Sequence, residues 1–215
     1  MKNYFPLNID LSGRLVVVIG AGKVALRKIK TLLKFQASIL LVSREIREKD
    51  ILKLVSEKKI RMVKGKPDFK KIKGAFMVIA ASDNERLNDE IAAEFISKKI
   101  LVNNASGSGS AIFPAFYKNG GLTVSVSTSG ASPSLSVRLR DEIAGSFGKK
   151  YSQVLEILKE YREKAKNEIK NPVKREQFCR GISGIKIANK NFRKGSFRAK
   201  VAEMLKKYSA DKSFL

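Results

Sequence analysis

Gly20-Ala21-Gly22, with Ala25 three residues further on, is the grouping in this 215-residue chain whose chemistry is plainest. A glycine at the first position permits a tight turn, and one at the second lets the backbone approach a phosphate. A small residue at the third lets a helix pack closely on the preceding strand. Lys23 and Val24 would open that helix, with its N-terminal amides facing the anion. About twenty residues on, an Asp or Glu commonly binds the ribose hydroxyls of NAD. Here the chain offers Ser43, Arg44 and Glu45. Arg44 suits a 2′-phosphate, and so NADP, but it reads equally well as a solvated arginine after a capping serine. Ala81 and Ser82 stand where small residues pass beneath a cofactor ribose. Asn103, Asn104 and Ser106 are the remaining polar set, and strand-end capping is one reading of all three. Histidine is absent. That removes the commonest general base and transition-metal ligand, and no metal site is expected.

These groups are useful only if a scaffold gathers them at one edge. The apolar run Leu15 to Ile19 predicts a buried strand, and Lys23 to Phe35 the helix after it. Ser38 to Val42, Ile60 to Val63, Ala75 to Ala81 and Ile100 to Val102 predict four more strands. Asp50 to Glu57 and Leu87 to Ser97 read as helices, the latter behind a capping cluster at Ser82-Asp83-Asn84. Five βα units in regular alternation predict an α/β, Rossmann-like parallel sheet with helices on both faces. Its ligand crevice would lie at the carboxyl ends of the strands. The rhythm breaks at the small-residue stretch Gly107 to Ser110, which is expected to be flexible. Order resumes at Ile112 to Phe116. Leu122 to Thr128 alternates like a half-buried strand, and Ser132-Pro133 starts a helix to about Ala144. This short segment, read as αβα, is too small for its own core and is expected to pack on a second copy. From Lys149 onward only helix and loop are predicted, with Val154, Leu155, Leu158 and Tyr161 on one apolar face. The expected organisation is a dinucleotide-binding domain over 1–113, a small αβ dimerisation segment over 114–148 and a basic helical domain over 149–215.

The formal net charge is +24, so an anionic partner is expected. Between 170 and 200 ten basic residues, Lys190 among them, face one acid, Glu176. Phe178, Phe192 and Phe197 interleave with them. That pattern could stack bases, hold a flat macrocycle, or build a helical core. No recognised nucleic-acid module accompanies it, which makes nucleic acid an unlikely partner. The single cysteine, Cys179, cannot form an internal disulfide. No apolar stretch reaches membrane-span length, and Met1 to Pro6 lacks a signal-peptide core, so a cytoplasmic protein is expected.

Several of these motifs occur together in one family. Phe5-Pro6-Leu7, the Gly20 to Lys28 turn and helix, Ala80-Ala81-Ser82-Asp83, Val102-Asn103 and Ile112-Phe113-Pro114-Ala115 are shared with it. Most diagnostic is Val126-Ser127-Thr128-Ser129-Gly130-Ala131-Ser132-Pro133-Ser134-Leu135, followed by Arg138. The chain resembles, from about Tyr4 to Ile143, the siroheme-synthase N-terminal family of precorrin-2 dehydrogenases, some of which are also sirohydrochlorin ferrochelatases. The resemblance implies a homodimer that oxidises precorrin-2 to sirohydrochlorin with NAD, with Asn103 a candidate cofactor contact. An octacarboxylate tetrapyrrole would account for the positive charge without nucleic acid. Thr128, Ser129 and Arg138 become candidate substrate contacts, although helix capping and a solvated face explain them as well. One departure stands out. Many family members carry an aspartate just after the fifth strand, in a pattern like V-N-x-x-D, and here that position is Ser106, or Asn104 if the gap falls differently. Dehydrogenase without efficient chelatase activity is therefore expected. The alternatives are a bifunctional enzyme and a non-catalytic tetrapyrrole or dinucleotide binder.

Overall fold

A computed structural model describes residues 3–186 and 192–210. The chain divides into two compact units, Met1–Phe113 and Pro114–Leu215. The first contains β1 (Leu15–Ile19), α1 (Lys23–Lys34), β2 (Ser38–Ser43), α2 (Lys49–Ser56), β3 (Arg61–Lys64), β4 (Met77–Ala80), α3 (Glu85–Ser97) and β5 (Leu101–Asn104). All five strands are parallel, in the order β3-β2-β1-β4-β5. Ile19 pairs with Val42 on one side and Ala80 on the other, and Ala80 with Asn104. The strand ends are thus in step, which brings the polar residues just beyond them to one edge.

The apolar runs are continuous because both sheet faces are covered. Val16, Val18 and Ile79 pack with Ala25, Ile29 and Leu32 on the α1 side. Val17, Val78 and Val102 pack with Ile91 and Phe95 on the α3 side. Each fully buried aliphatic side chain contributes roughly 1.5–3 kcal/mol, so the sheet is the rigid part of this unit.

The regular βα alternation does not hold. No helix joins β3 to β4. Gly65 and Gly74 have positive φ, +143° and +69°, and Pro67 lies between them, so the chain there cannot hold a helix. Phe69 and Ile72 from this loop cover the α3-side core instead, with the Phe69 ring edge-on to Phe95 at 5.6 Å. No helix directly follows β5 either. The chain turns back, Ala111 N–H donates to the Val102 carbonyl at 2.9 Å, and the Ser110 hydroxyl accepts from Val102 N–H at 2.9 Å. A side chain at Gly109 would come within 2.4 Å of the Val102 carbonyl oxygen. The stretch expected to be flexible is therefore laid tightly against β5.

In the second unit β6 (Ala115–Asn119) and β7 (Leu122–Val126) form an antiparallel hairpin. The segment read as αβα is ββα. Its signal is Asn119-Gly120-Gly121, a hairpin turn with Gly120 at φ +55°. α4 (Pro133–Ile143) runs through a π-helical turn at Ala144–Gly148 into α5 (Lys149–Glu168), and α6 (Pro172–Ser183) and α7 (Lys194–Ala210) come after it. Val154, Ile157, Tyr161, Phe178, Ile182, Phe197 and Val201 make the helical core, and Phe192 packs against it. Among the three readings of those phenylalanines, the core is the one the packing supports. Leu155 is partly exposed, because the buried face runs through Ile157 rather than Leu155. Lys190 lies outside the described residues.

Candidate functional site

A cavity of about 960 Å³ opens at the carboxyl edge of the first unit's sheet. That is within the usual range for small-molecule sites. Gly20, Gly22, Lys23, Val24, Ser43, Arg44, Glu45, Ala81, Ser82 and Ser106 all line it. The two glycines serve it differently. Gly20 has φ +109°, and a Cβ there would lie 2.2 Å from the Ala81 carbonyl oxygen. Its glycine is required by the approach of the β4 end as well as by the turn. Gly22 is the N-cap of α1, with extended backbone (φ −91°, ψ −171°) and no side-chain cap. A Cβ at Gly22 would meet nothing within 4 Å. No acid occupies the first turn of α1, so its positive end is not neutralised from within the helix. This is a cradle that fits a phosphate group.

At the β2 side the Ser43 hydroxyl donates to the Glu45 carbonyl at 2.7 Å. Arg47, which sequence reasoning did not single out, also lines the cavity. Its Nε donates to Glu45 Oε1 at 2.8 Å, and its Nη1 to Asp83 Oδ2 at 2.8 Å. β2 and β4 flank β1, so this bridge crosses the end of β1. Both carboxylates, Glu45 first, hold the Arg47 proton more tightly than usual. Three cations, Lys23, Arg44 and Arg47, share the lining with four carboxylates, Glu45, Glu48, Asp83 and Glu85. The strong positive charge of the chain does not extend to this cavity.

The other wall is organised by Asn88, also not singled out from the sequence. It is fully buried. Its Oδ1 accepts from Ser82 N–H at 3.0 Å and from the Ser82 hydroxyl at 2.8 Å. Its Nδ2 donates to the Ser82 carbonyl at 3.1 Å and to Ser106 Oγ at 3.0 Å. One carboxamide thus fixes the ends of β4 and β5 relative to each other. The signal was available: Asn88, Ile91, Ala92 and Phe95 form the buried stripe of α3, and a polar residue on such a stripe needs partners.

Asn104 does not line the cavity. Its Oδ1 accepts from the amides of Ser106 and Gly107 at 3.1 and 3.2 Å and from the Ser106 hydroxyl at 3.2 Å. Its Nδ2 donates to Asp89 Oδ1 at 2.8 Å. Its side chain is spent on the turn. Asn103 is buried, with Nδ2 donating to the Ala111 carbonyl at 3.0 Å. Its Oδ1 is buried and has no partner among the described residues. One turn beyond Val24, Lys28 lies with Nζ 4.2 Å from the centre of the Phe113 ring. Burial, aided by Arg27, lowers its pKa to about 8.

Thr128, Ser129 and Arg138 belong to the second unit. The Thr128 hydroxyl donates to the Ser132 carbonyl and accepts from Ser132 N–H, each at 3.0 Å. It also lies 3.1 Å from Ser136 Oγ. Ser129 has φ +53° in the turn, and the Ser132 side chain caps α4. Arg138 is exposed and pairs with Glu142 at 3.3 Å.

Sheet order, glycine turn and phosphate cradle together define a dinucleotide-binding protein of the Rossmann class. Residues 7–115 match the family model described as "Putative NAD(P)-binding", and residues 119–146 that described as "Sirohaem biosynthesis protein central". The chain belongs to this sirohaem-biosynthesis family, which includes the precorrin-2 dehydrogenases. It is 39% identical over 140 residues to "Precorrin-2 dehydrogenase" of Bacillus subtilis (strain 168), covering 64% of this chain and 85% of that one. With the "Precorrin-2 dehydrogenase" of Methanosarcina barkeri it shares 33% over 175 residues, 78% and 77% of the two chains. "Siroheme synthase" of Mannheimia succiniciproducens is 30% identical over 182 residues, 84% of this chain, but the chain spans only 38% of that protein's length. The solved structure "SirC, precorrin-2 dehydrogenase" shares the fold with a TM-score of 0.76 at 24% identity, over 96% of this chain and 100% of that one.

Proposed function

We propose that this protein oxidises precorrin-2 to sirohydrochlorin with NAD⁺. The observation that carries the reading is the open cradle at Gly22, in a chain related over most of its length to precorrin-2 dehydrogenases. Bound dinucleotide supplies the hydride acceptor, and the macrocycle also loses one proton. Gly20, Gly22, Lys23 and Val24 hold the pyrophosphate; Ser43, Arg44 and Glu45 hold the adenosine ribose. Ala81 and Ser82 serve the nicotinamide half; Asn103, buried and outside the cavity lining, supports that wall through its bond to the Ala111 carbonyl. NAD is favoured over NADP because carboxylates outnumber cations in the lining, and a 2′-phosphate would add charge of the same sign.

Ser106 is the cavity-facing residue where the family's aspartate is expected. Its oxygen accepts a hydrogen bond from Asn88 Nδ2 and its hydroxyl donates one to Asn104 Oδ1. It offers substrate an acceptor lone pair rather than a base, so the proton leaves to water. Asn104 acts only by holding that turn. In the second unit we assign residues 114–148 to a dimer contact, where Leu135, Val137 and Phe147 are exposed. We assign the basic residues of the 149–215 segment to the tetrapyrrole carboxylates, with Ser129 and Arg138 of the preceding segment as further contacts and Thr128 as the residue shaping the Ser129 turn. We place the protein in the cytoplasm; among the described residues no helix is long and apolar enough to cross a membrane.

Anaerobic mixing with precorrin-2 and NAD⁺ tests the reading. NADH absorbance at roughly 340 nm should rise in step with sirohydrochlorin. Binding of both ligands with no NADH formed would reduce the protein to a carrier.

A further inference from the structure

Arg47 holds an unusual position for an exposed arginine. It comes from the loop after β2, reaches across the end of β1, and pairs with Asp83 beyond β4. Neighbouring strands lie about 4.8 Å apart, so the bridge crosses two strand spacings at the cavity mouth. A guanidinium is flat, and all of its N–H bonds lie in its plane. Here one edge, Nε and Nη2, faces Glu45 at 2.8 and 2.7 Å, and Nη1 faces Asp83 at 2.8 Å. Two carboxylates on different loops therefore fix the plane from opposite sides without taking all five of its N–H bonds. The two faces of the guanidinium and the outer N–H bonds of Nη1 and Nη2 remain for a ligand, and 60% of the side chain is exposed.

A flat cation whose plane is held in place and whose side chain is largely exposed at the cavity is a platform for a flat aromatic group. We infer that Arg47, held between Glu45 and Asp83, is the residue on which the adenine ring of the dinucleotide stacks. The inference rests on the dinucleotide reading above and adds a specificity-determining residue to it. Recognition by a face selects for a broad π-system and not for particular ring substituents, so the site should accept any purine. The two carboxylates act through Arg47 by holding its plane.

The test is calorimetric titration of the full chain with NAD⁺ and with ADP-ribose. Arg47→Met keeps the stem but removes plane and charge, whereas Arg47→Lys keeps the charge alone. Both variants should melt like the parent, because the bridge is exposed. Arg47→Met should bind both ligands about tenfold more weakly, and Arg47→Lys should recover little of that loss. Full recovery by lysine would show that charge rather than stacking acts there and would overturn the inference. Unchanged affinity in Arg47→Met would do the same. A parent protein that binds neither ligand would bring down the dinucleotide reading itself, which is a different result from either variant outcome.

Discussion

Gly20 and Gly22 are two residues apart, belong to one motif and should fail in opposite ways when changed to alanine. At Gly20 a methyl group meets the Ala81 carbonyl oxygen at 2.2 Å, and φ is +109°. Alanine in such a conformation costs about 2 kcal/mol. Relieving the overlap requires moving a backbone segment by about 1 Å, and that segment is anchored by Ala81 N–H on the Ile19 carbonyl at 2.9 Å. Weakening that bond and the neighbouring packing adds about another 2 kcal/mol. A total of about 4 kcal/mol corresponds to a melting point lower by about 15 °C for a unit of this size. At Gly22 the backbone is extended and the new methyl meets no atom of the protein. The only structural cost is a poorer N-cap, under about 1 kcal/mol. The methyl does enter the phosphate cradle, so dinucleotide affinity should fall by about a hundredfold, as expected for about 3 kcal/mol of lost helix-end contact. Thermal unfolding by circular dichroism and NADH titration by fluorescence separate the two. If Gly22→Ala lowers the melting point as much as Gly20→Ala, or binds NADH like the parent, the assignment of structural and ligand roles is wrong.

Asn88→Ala removes the partner of the Ser82 amide and carbonyl at a partly buried place, so stability should fall by about 1–2 kcal/mol. Denaturant midpoints read that loss, and Asn88→Asp, which keeps the acceptor oxygen, should recover part of it. Ser106→Asp puts a carboxylate on the cavity wall beside the Asn88 amide donor. Single-turnover NADH formation should then rise by at least about tenfold, at the low end of general-base effects, and an unchanged rate in a folded variant would disprove proton loss as a limiting step. Lys28 has a folded pKa of about 8 against 10.5 unperturbed, with burial as the main cause. The unfolded chain therefore holds more protons between those values, and stability should rise with pH from about 8 to 10.5. Melting curves of Lys28→Met should lose that rise.

Much of the first unit was legible because its signals are local. An apolar run covered on both faces has few other solutions, and the Gly20 to Ala25 spacing dictates a turn and then a helix packed on the strand. The missing helix between β3 and β4 was harder to see. Pro67 and the flanking glycines forbade one, but Phe69 and Ile72 show their purpose only beside Phe95, which is distant in sequence. The β6 strand was missed although Asn119-Gly120-Gly121 announces a hairpin, because Ala115 to Asn119 does not alternate cleanly. In the site, residues at strand ends were found by counting from the glycines. Arg47 and Asn88 were not, because each works by joining two loops, and such a joint has no sequence spacing of its own. Thr128 and Asn104 become candidate contacts through the family resemblance, which aligns positions but not hydrogen bonds. Only their hydrogen bonds show that the turns consume them.

The loop from Gly65 to Phe76 serves two sides of the first unit at once. Gly65 and Pro67 border the cavity, while Phe69 and Ile72 seal the hydrophobic face behind it. No helical hydrogen bonds hold this segment, so it should be among the first parts of the unit to open and exchange its amide hydrogens. An opening that removes the cavity wall also removes the binding surface, and each bound ligand must leave before it can happen. Occupancy at a hundred times the dissociation constant would raise the free energy of that opening by about 2.7 kcal/mol. Amide exchange over residues 65–76 would slow by about a hundredfold, making this loop a built-in reporter of saturation that needs neither turnover nor the unstable tetrapyrrole.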